Sequence, residues 1–186
     1  MNLLEKKINL SEWISENTKN SKTVVELGAG LFNRLKDVHS SVPIKIGIEI
    51  WKPYIDRAIY HDCIKIHGNL KLYRKLLDGY ELNTVMLIDI LEHFEKKEAF
   101  KLINNLKQDF NKIILMLPSG KYEQEEDCYN LGADDFQKHR SFWYDEDLEK
   151  LEFTENIIDS FFHNINGNRQ KLGLPTSCYF LAWNKF

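Results

Sequence analysis

Apolar residues along this chain fall into short, near-continuous runs separated by amphipathic stretches. Leu3 to Asn17 sets Leu10, Trp13 and Ile14 at helical spacing among charges and predicts a helix, which Asn20-Ser21 breaks. Thr23-Val24-Val25-Glu26-Leu27 then reads as a buried strand, and Lys45-Ile46-Gly47-Ile48-Glu49-Ile50 as the next. Phe32 to His39 is long enough between them for a short crossover helix, which makes a βαβ unit. Further runs follow at Cys63–His67, Thr84–Asp89 and Lys112–Leu117, separated by stretches such as Lys97–Phe110. Strands buried on both faces read this way, so the pattern predicts a mostly parallel sheet with helices on both sides. Regularity stops after Pro118. Ser119 to Trp143 is polar, aromatic and acidic without periodicity, and a connection longer than about 15 residues is usually functional or disordered. Asp147–Leu151 predicts a short helix. Asn156–Phe162 and Cys178–Trp183 predict two closing strands joined by a Gly/Asn-rich loop, Asn164–Thr176. The chain carries no internal repeat.

Composition narrows the class. A chain of 186 residues, 43% hydrophobic and 12% aromatic, fits one compact domain over residues 1–186, able to bury roughly 70% of its unfolded surface. A second, substrate-binding domain does not fit. The formal net charge of -3 gives no electrostatic reason for a polyanionic partner, so nucleic acid is not expected. Cys63, Cys128 and Cys178 are scattered, without C-x-x-C spacing, which argues against a disulfide framework and a structural zinc, and for a reducing cytoplasm. The N-terminus lacks the apolar core of a signal peptide, and no apolar run is long enough to span a bilayer; a soluble, unprocessed protein is expected. No feature selects an oligomeric state.

Candidate chemistry gathers at the strand ends. Val24-Val25-Glu26-Leu27-Gly28-Ala29-Gly30 puts two glycines just beyond a strand, where a side chain would block a ligand's approach to the backbone. A tight turn that binds nothing gives the same pattern. What adds weight is Glu49, an acid about 20 residues further on at the end of the next strand, whose two oxygens can accept both hydroxyls of an adenosine ribose. Ile50 and Trp51 follow as one wall of an adenine slot, Gly68-Asn69-Leu70 closes the third strand and Asp89 the fourth. Four successive strand ends thus deliver a polar or glycine group to one sheet edge, where open α/β sheets bind ligands.

These residues resemble a known family, the class I S-adenosylmethionine-dependent methyltransferases, and most closely a small bacterial (type 11/12-like) branch. The likeness rests on Gly47-Ile48-Glu49-Ile50-Trp51-Lys52-Pro53-Tyr54-Ile55, Ile88-Asp89-Ile90-Leu91-Glu92-His93, Pro118-Ser119-Gly120 and His139-Arg140-Ser141-Phe142-Trp143, and spans about Thr23 to Phe153. It implies a Rossmann-like seven-stranded sheet of order 3-2-1-4-5-7-6 and S-adenosylmethionine as cofactor. It also implies that Glu26 with Gly28, Ala29 and Gly30 holds the methionine part, Glu49 the ribose, and Asn69 with Leu70 the adenine edge, while Asp89 lies near the sulfonium. Two positions depart from the family: Phe32 stands where a third glycine is frequent, which would reshape the methionine pocket, and Asn69 where Asp is usual. Asn can still accept from the adenine amino group through its carbonyl oxygen.

Methyl transfer from a sulfonium is an in-line displacement, so the enzyme mainly aligns nucleophile, methyl and sulfur at about 3 Å separations and excludes water. An oxygen acceptor needs a base, whereas an unprotonated amine reacts by orientation alone. Asp89, His93 and His139 are the catalytic candidates. Glu92-His93 can close the pocket or take a proton; read structurally, the pair caps the helix that follows, with Glu92 favourable in its first turn. His139 sits in the 119–143 segment, expected to form a lid over a small-molecule acceptor, and is a base or a lid residue. The acids Glu123, Glu125, Glu126, Asp127, Asp134 and Asp135 read as a solvated surface. His61-Asp62-Cys63 has no matching second pair, so no metal is expected. An NAD-dependent oxidoreductase shares the glycine turn but needs a third glycine where Asn33 stands. A non-catalytic module that binds S-adenosylmethionine is the other rival, and the intact Glu49 and Asp89 count against it.

Overall fold

The computed structural model describes residues 3–164 and 168–185; residues 165–167 of the predicted Asn164–Thr176 loop lie outside the described residues. Eight strands form one sheet among them: β1 Leu4–Glu5, β2 Thr23–Leu27, β3 Ile44–Glu49, β4 Ile64–His67, β5 Thr84–Ile88, β6 Lys112–Pro118, β7 Glu155–Asp159 and β8 Cys178–Asn184. Their order is β1-β7-β8-β6-β5-β2-β3-β4. Without β1, and read from the β4 edge, this is the predicted 3-2-1-4-5-7-6. Pairing is parallel at β2–β3, β2–β5, β3–β4 and β1–β7, and antiparallel at β7–β8. β2, β5 and nearly all of β6 are buried along their whole length, as near-continuous apolar runs demand, while the edge strand β4 is half-exposed.

The helices are α1 Leu10–Thr18, α2 Lys52–Asp56, α3 Tyr73–Leu76, α4 Lys96–Asp109, α5 Asp134–Gln137, α6 Asp145–Leu151 and α7 Asn168–Lys171. α4 buries Ala99, Leu102, Ile103 and Leu106 along one stripe. Among the described residues no helix is long and apolar enough to cross a membrane.

Two expectations change here. The helix predicted from Leu3 starts only at Leu10, because the Asn9 side chain accepts the Glu12 N–H as an N-cap. The residues before it form the eighth strand, anchored by Lys6 N–H on the Ile158 carbonyl and Ile8 N–H on the Asp159 carboxylate. The crossover helix over Phe32–His39 is reduced to a 3₁₀ turn at Leu35–Asp37. Gly30 (φ 53°) and Phe32 (φ 62°) are both left-handed, and a right-handed helix cannot run through them.

By packing, the chain divides into two compact units. One holds residues 9–88, 105–114 and 184–185, and the other residues 3–8, 89–104 and the described part of 115–183.

Candidate active site

In the first unit the predicted nucleotide-side residues stand at the carboxyl ends of β2, β3 and β4. Leu27 is the last residue of β2, and both Gly28 and Ala29 then donate their N–H to the Ile48 carbonyl of β3, folding the chain sharply over the neighbouring strand. Gly28 (φ 73°) and Gly30 (φ 53°) occupy backbone angles that glycine adopts without strain. A Cβ built on Gly30 meets no protein atom within 4 Å. The space above that turn is open.

The Glu49 carboxylate ties this turn to the next. One oxygen accepts the Gly30 N–H at 2.9 Å and the other the Trp51 N–H at 2.7 Å. Burial pushes its pKa up, opposed by the backbone amides of Trp51, Gly30 and Ile50 and by His67. Three amides do not exhaust the carboxylate's four lone-pair sites. Glu26, on β2, is buried with one carboxylate oxygen unpartnered. Burial raises its pKa well above the usual range, Glu49 and Asp37 add to that, and the Arg34 charge opposes it. Ile50 is half-buried, and its carbonyl accepts from His67 Nε2 at 3.0 Å. Trp51, half-buried, is the N-cap position of α2. Asn69 caps a 3₁₀ turn at Leu70–Leu72: its Oδ1 accepts the Lys71 N–H at 2.9 Å, so one lone pair of the proposed adenine acceptor is already engaged. Leu70 is buried behind it.

The Phe32 ring is fully buried against Gly47, where a Cβ would come within 2.5 Å of a ring carbon. The departure at position 32 is matched by a glycine on the neighbouring strand.

The second unit carries the predicted catalytic residues. Asp89 follows β5 in the left-handed region (φ 50°), which Asp tolerates better than most residues, with its N–H on the Met116 carbonyl at 3.0 Å. Glu92 and His93 lie in a 3₁₀ turn, Leu91–His93, that precedes α4. The helix-cap reading of Glu92 is corrected: it is outside α4, its side chain is buried, and among the described residues no other residue hydrogen-bonds either oxygen. Burial, then the Asp89 charge, holds its carboxyl well above the usual range.

His139 is brought onto this turn by a well-knit segment. Ser119 and Gly120 bridge to Trp143, and Gly120 N–H donates to the Trp143 carbonyl at 2.7 Å, so the segment's two ends close on each other. Inside it, Asp127 is buried and accepts the N–H groups of Tyr129, Leu131 and Ala133 at 2.8, 2.6 and 3.2 Å. That removes Asp127 from the solvated acidic surface; the other five acids of the run are exposed. Arg140 and Ser141 donate their N–H groups to the Glu92 carbonyl. The His93 and His139 rings meet edge to face, centroids 5.0 Å apart. Burial, helped by His139, lowers the His93 pKa to about 4, and burial also lowers that of His139. Both are neutral at physiological pH.

Three residues here had no signal in the sequence. Tyr122 packs between His139 and His163, with ring centroids 5.6 and 5.2 Å away. His163 follows β7, and Cys178, buried, opens β8; the antiparallel pairing of these strands delivers the Cys178 thiol to His163 Nε2 at 2.8 Å. A contact of this kind is written in strand register, not in local spacing. Away from all this, Ser40, Pro43, Ile44, His61, Asp62 and Cys63 line a groove of about 370 Å³ at the amino ends of β3 and β4, the edge opposite Glu49.

No family model and no curated protein sequence matches the chain. Solved structures do. A SAM-dependent methyltransferase from Archaeoglobus fulgidus superposes with a TM-score of 0.60 at 19% identity, over 91% of this chain and 89% of that one. The magnesium protoporphyrin IX methyltransferase ChlM of Synechocystis PCC 6803, solved with SAH, gives 0.61 at 14% identity, over 93% and 78%. The plantazolicin methyltransferase BamL, solved with SAH and a triazolic desmethylPZN analog, gives 0.58 at 12% identity, over 95% and 82%. The chain has the class I methyltransferase fold. In that methyltransferase fold the added β1 is an edge strand, and every residue predicted for the cofactor or for catalysis stands at or beyond the carboxyl end of a strand of the sheet, or in the 119–143 segment.

Proposed function

We propose that the chain is an S-adenosylmethionine-dependent methyltransferase with a small-molecule acceptor. The observation that carries this reading is Glu49, a buried carboxylate fixed by the amides of Gly30 and Trp51 at the end of β3 with acceptor capacity left over, beside the open turn at Gly30. The residues fit the cofactor on their own chemistry. Glu26 offers a buried carboxylate oxygen without a donor, suited to an ammonium group such as that of a methionine moiety. Glu49 suits a pair of ribose hydroxyls; Ile50, Trp51, Asn69 and Leu70 suit an adenine. The bound cofactor supplies an electrophilic methyl on sulfur.

On the acceptor side, Asp89 closes β5 and the segment 119–143 acts as the lid. His93 and His139 are neutral imidazoles, each able to take a proton from a hydroxyl acceptor. The small-molecule class is supported by the similar structures, which include enzymes named for plantazolicin and magnesium protoporphyrin IX. A reducing, cytoplasmic setting agrees with Cys63, Cys128 and Cys178, all free thiols.

Calorimetry tests the cofactor: S-adenosylmethionine or S-adenosylhomocysteine should bind in the micromolar range and NAD should not. NAD binding without response to either sulfur compound would overturn the reading.

A further inference from the structure

We propose that Glu92, His93 and His139 form a binding site for a divalent transition-metal cation. One ligand-capable atom from each of the three lies within 4.8 Å of the others. Two imidazoles and one carboxylate are the donor set that first-row divalent ions with mixed nitrogen and oxygen preference accept, leaving positions for water or another oxygen ligand.

The hydrogen bonds around the trio separate it from an ordinary polar cluster. His139 Nδ1 lies 2.6 Å from the Tyr122 carbonyl and His93 Nδ1 3.3 Å from the Lys138 carbonyl. A carbonyl only accepts, so each Nδ1 carries the proton and each Nε2 keeps its lone pair. Orienting an imidazole by donating one ring N–H to a backbone carbonyl is the usual outer arrangement of a metal-bound histidine. Glu92 is the independent observation: its side chain is buried, and among the described residues no other residue donates a hydrogen bond to either carboxylate oxygen. A buried carboxylate left this way is costly; a proton relieves the cost in the ion-free chain, and a cation would do so in its place. Three groups able to ligate an ion thus sit together, and among the described residues no other residue aims a donor at the carboxylate. The neighbouring trio Asp89, His163 and Cys178 is equally close-set, but there Cys178 Sγ and His163 Nε2 already share a hydrogen bond at 2.8 Å.

Zinc ligands in a tetrahedral site stand roughly 3.3 Å apart, given bonds of about 2.0–2.1 Å. Seating an ion therefore draws the three groups inward by at most about 1.5 Å, within reach of side-chain rotation. An imidazole whose lone pair holds an ion is no longer a base, so ion binding and direct proton transfer at Nε2 exclude each other. The site stands whether or not the chain transfers methyl groups.

The test is calorimetric titration of chelator-treated protein with Zn²⁺ and, separately, Mn²⁺. The expected result is one ion per chain for at least one of them, with binding weakened about 100-fold or more in Glu92→Gln and in His139→Ala, and unchanged in His61→Ala, a histidine at the opposite sheet edge. Should either variant misfold, X-ray absorption of the Zn²⁺-loaded wild type takes its place, with imidazole nitrogens in the first coordination sphere expected. Wild-type protein that binds neither ion, variants that bind as wild type does, or a zinc sphere without imidazole would overturn the proposal. S-adenosylhomocysteine is titrated in parallel: its failure to bind alongside intact ion binding refutes the methyltransferase reading alone, and the reverse refutes the metal site alone.

Discussion

Glu49→Ala is the most direct perturbation of the strand-end carboxylate, because the same two oxygens hold the glycine turn and, in the proposed function, face the ribose. Hydrogen bonds to a charged acceptor contribute about 1.5–3 kcal/mol each, so the bonds from Gly30 and Trp51 gross about 3–6 kcal/mol. Burial of the charge works against them and outweighs them, since the carboxyl's pKa is raised overall. The cost of the variant is then set by the two amides left behind. Each unmet amide costs about 1–3 kcal/mol when dry. Both residues are half-buried, so water partly replaces the lost acceptor, and a total of about 1–2 kcal/mol is expected in urea unfolding. Cofactor binding suffers more specifically. Loss of a charged acceptor for ribose hydroxyls is worth about 1.5–3 kcal/mol, or roughly 10- to 150-fold weaker S-adenosylhomocysteine binding by calorimetry on protein shown to be folded. Glu49→Gln separates the two roles. It keeps one acceptor for the turn while setting its NH₂ against the other amide, so stability should stay within about 1 kcal/mol of the alanine variant while affinity still falls about tenfold. An alanine variant that is destabilised yet binds S-adenosylhomocysteine like the wild type would show that the carboxylate serves only the turn.

Two further outcomes follow from packing and from protonation. Gly47→Ala places a Cβ 2.5 and 2.6 Å from two Phe32 ring carbons and 2.9 Å from Ala29 Cβ, and should destabilise by about 1–3 kcal/mol; in a Phe32→Gly background the same substitution should cost at least about 1 kcal/mol less, and additive costs in a double-mutant cycle would place the ring elsewhere. His163 has its pKa lowered from 6.5 to about 4 by burial, then by Arg169 and His139, so the unfolded chain takes up a proton that the folded chain refuses. The stability it contributes is present above pH 6.5 and is lost as pH falls toward 4, by about 3 kcal/mol; His163→Gln should flatten the stability curve in that window, and an unaltered slope would contradict the assignment.

Most of the sheet was legible because its strands are buried on both faces and so announce themselves as apolar runs. Thr84–Ile88 and Lys112–Pro118 were found within a residue of their ends, whereas the strand order came with the family resemblance and not from the apolar pattern. β1 was not legible. Leu4–Glu5 is exposed, and what makes it a strand is its backbone pairing to Ile157 and Ile158, far along the chain. The missing crossover helix has a similar origin. Phe32 in the left-handed region is locally unfavourable, and it persists because its ring fills the space that Gly47 leaves.

The site divides along the same line. Glu49, Gly28 and Gly30 could be found because turn chemistry and strand ends are local, and the structure adds only how tightly the carboxylate is used. Asp127 was hidden among five exposed acids, since composition cannot say which member of a charged run folds back onto its own backbone. The expectation of no metal came from weighing His61-Asp62-Cys63, a local trio that sits in an unrelated groove. The trio that does come together pairs two adjacent residues, Glu92 and His93, with His139 from the far end of an irregular segment. What joins them is the pair of amides of Arg140 and Ser141 on the Glu92 carbonyl, a contact that fixes His139 one residue away from its anchor. A backbone clasp of that kind leaves no trace in residue types, so the donor set becomes visible only once the segment's path is known.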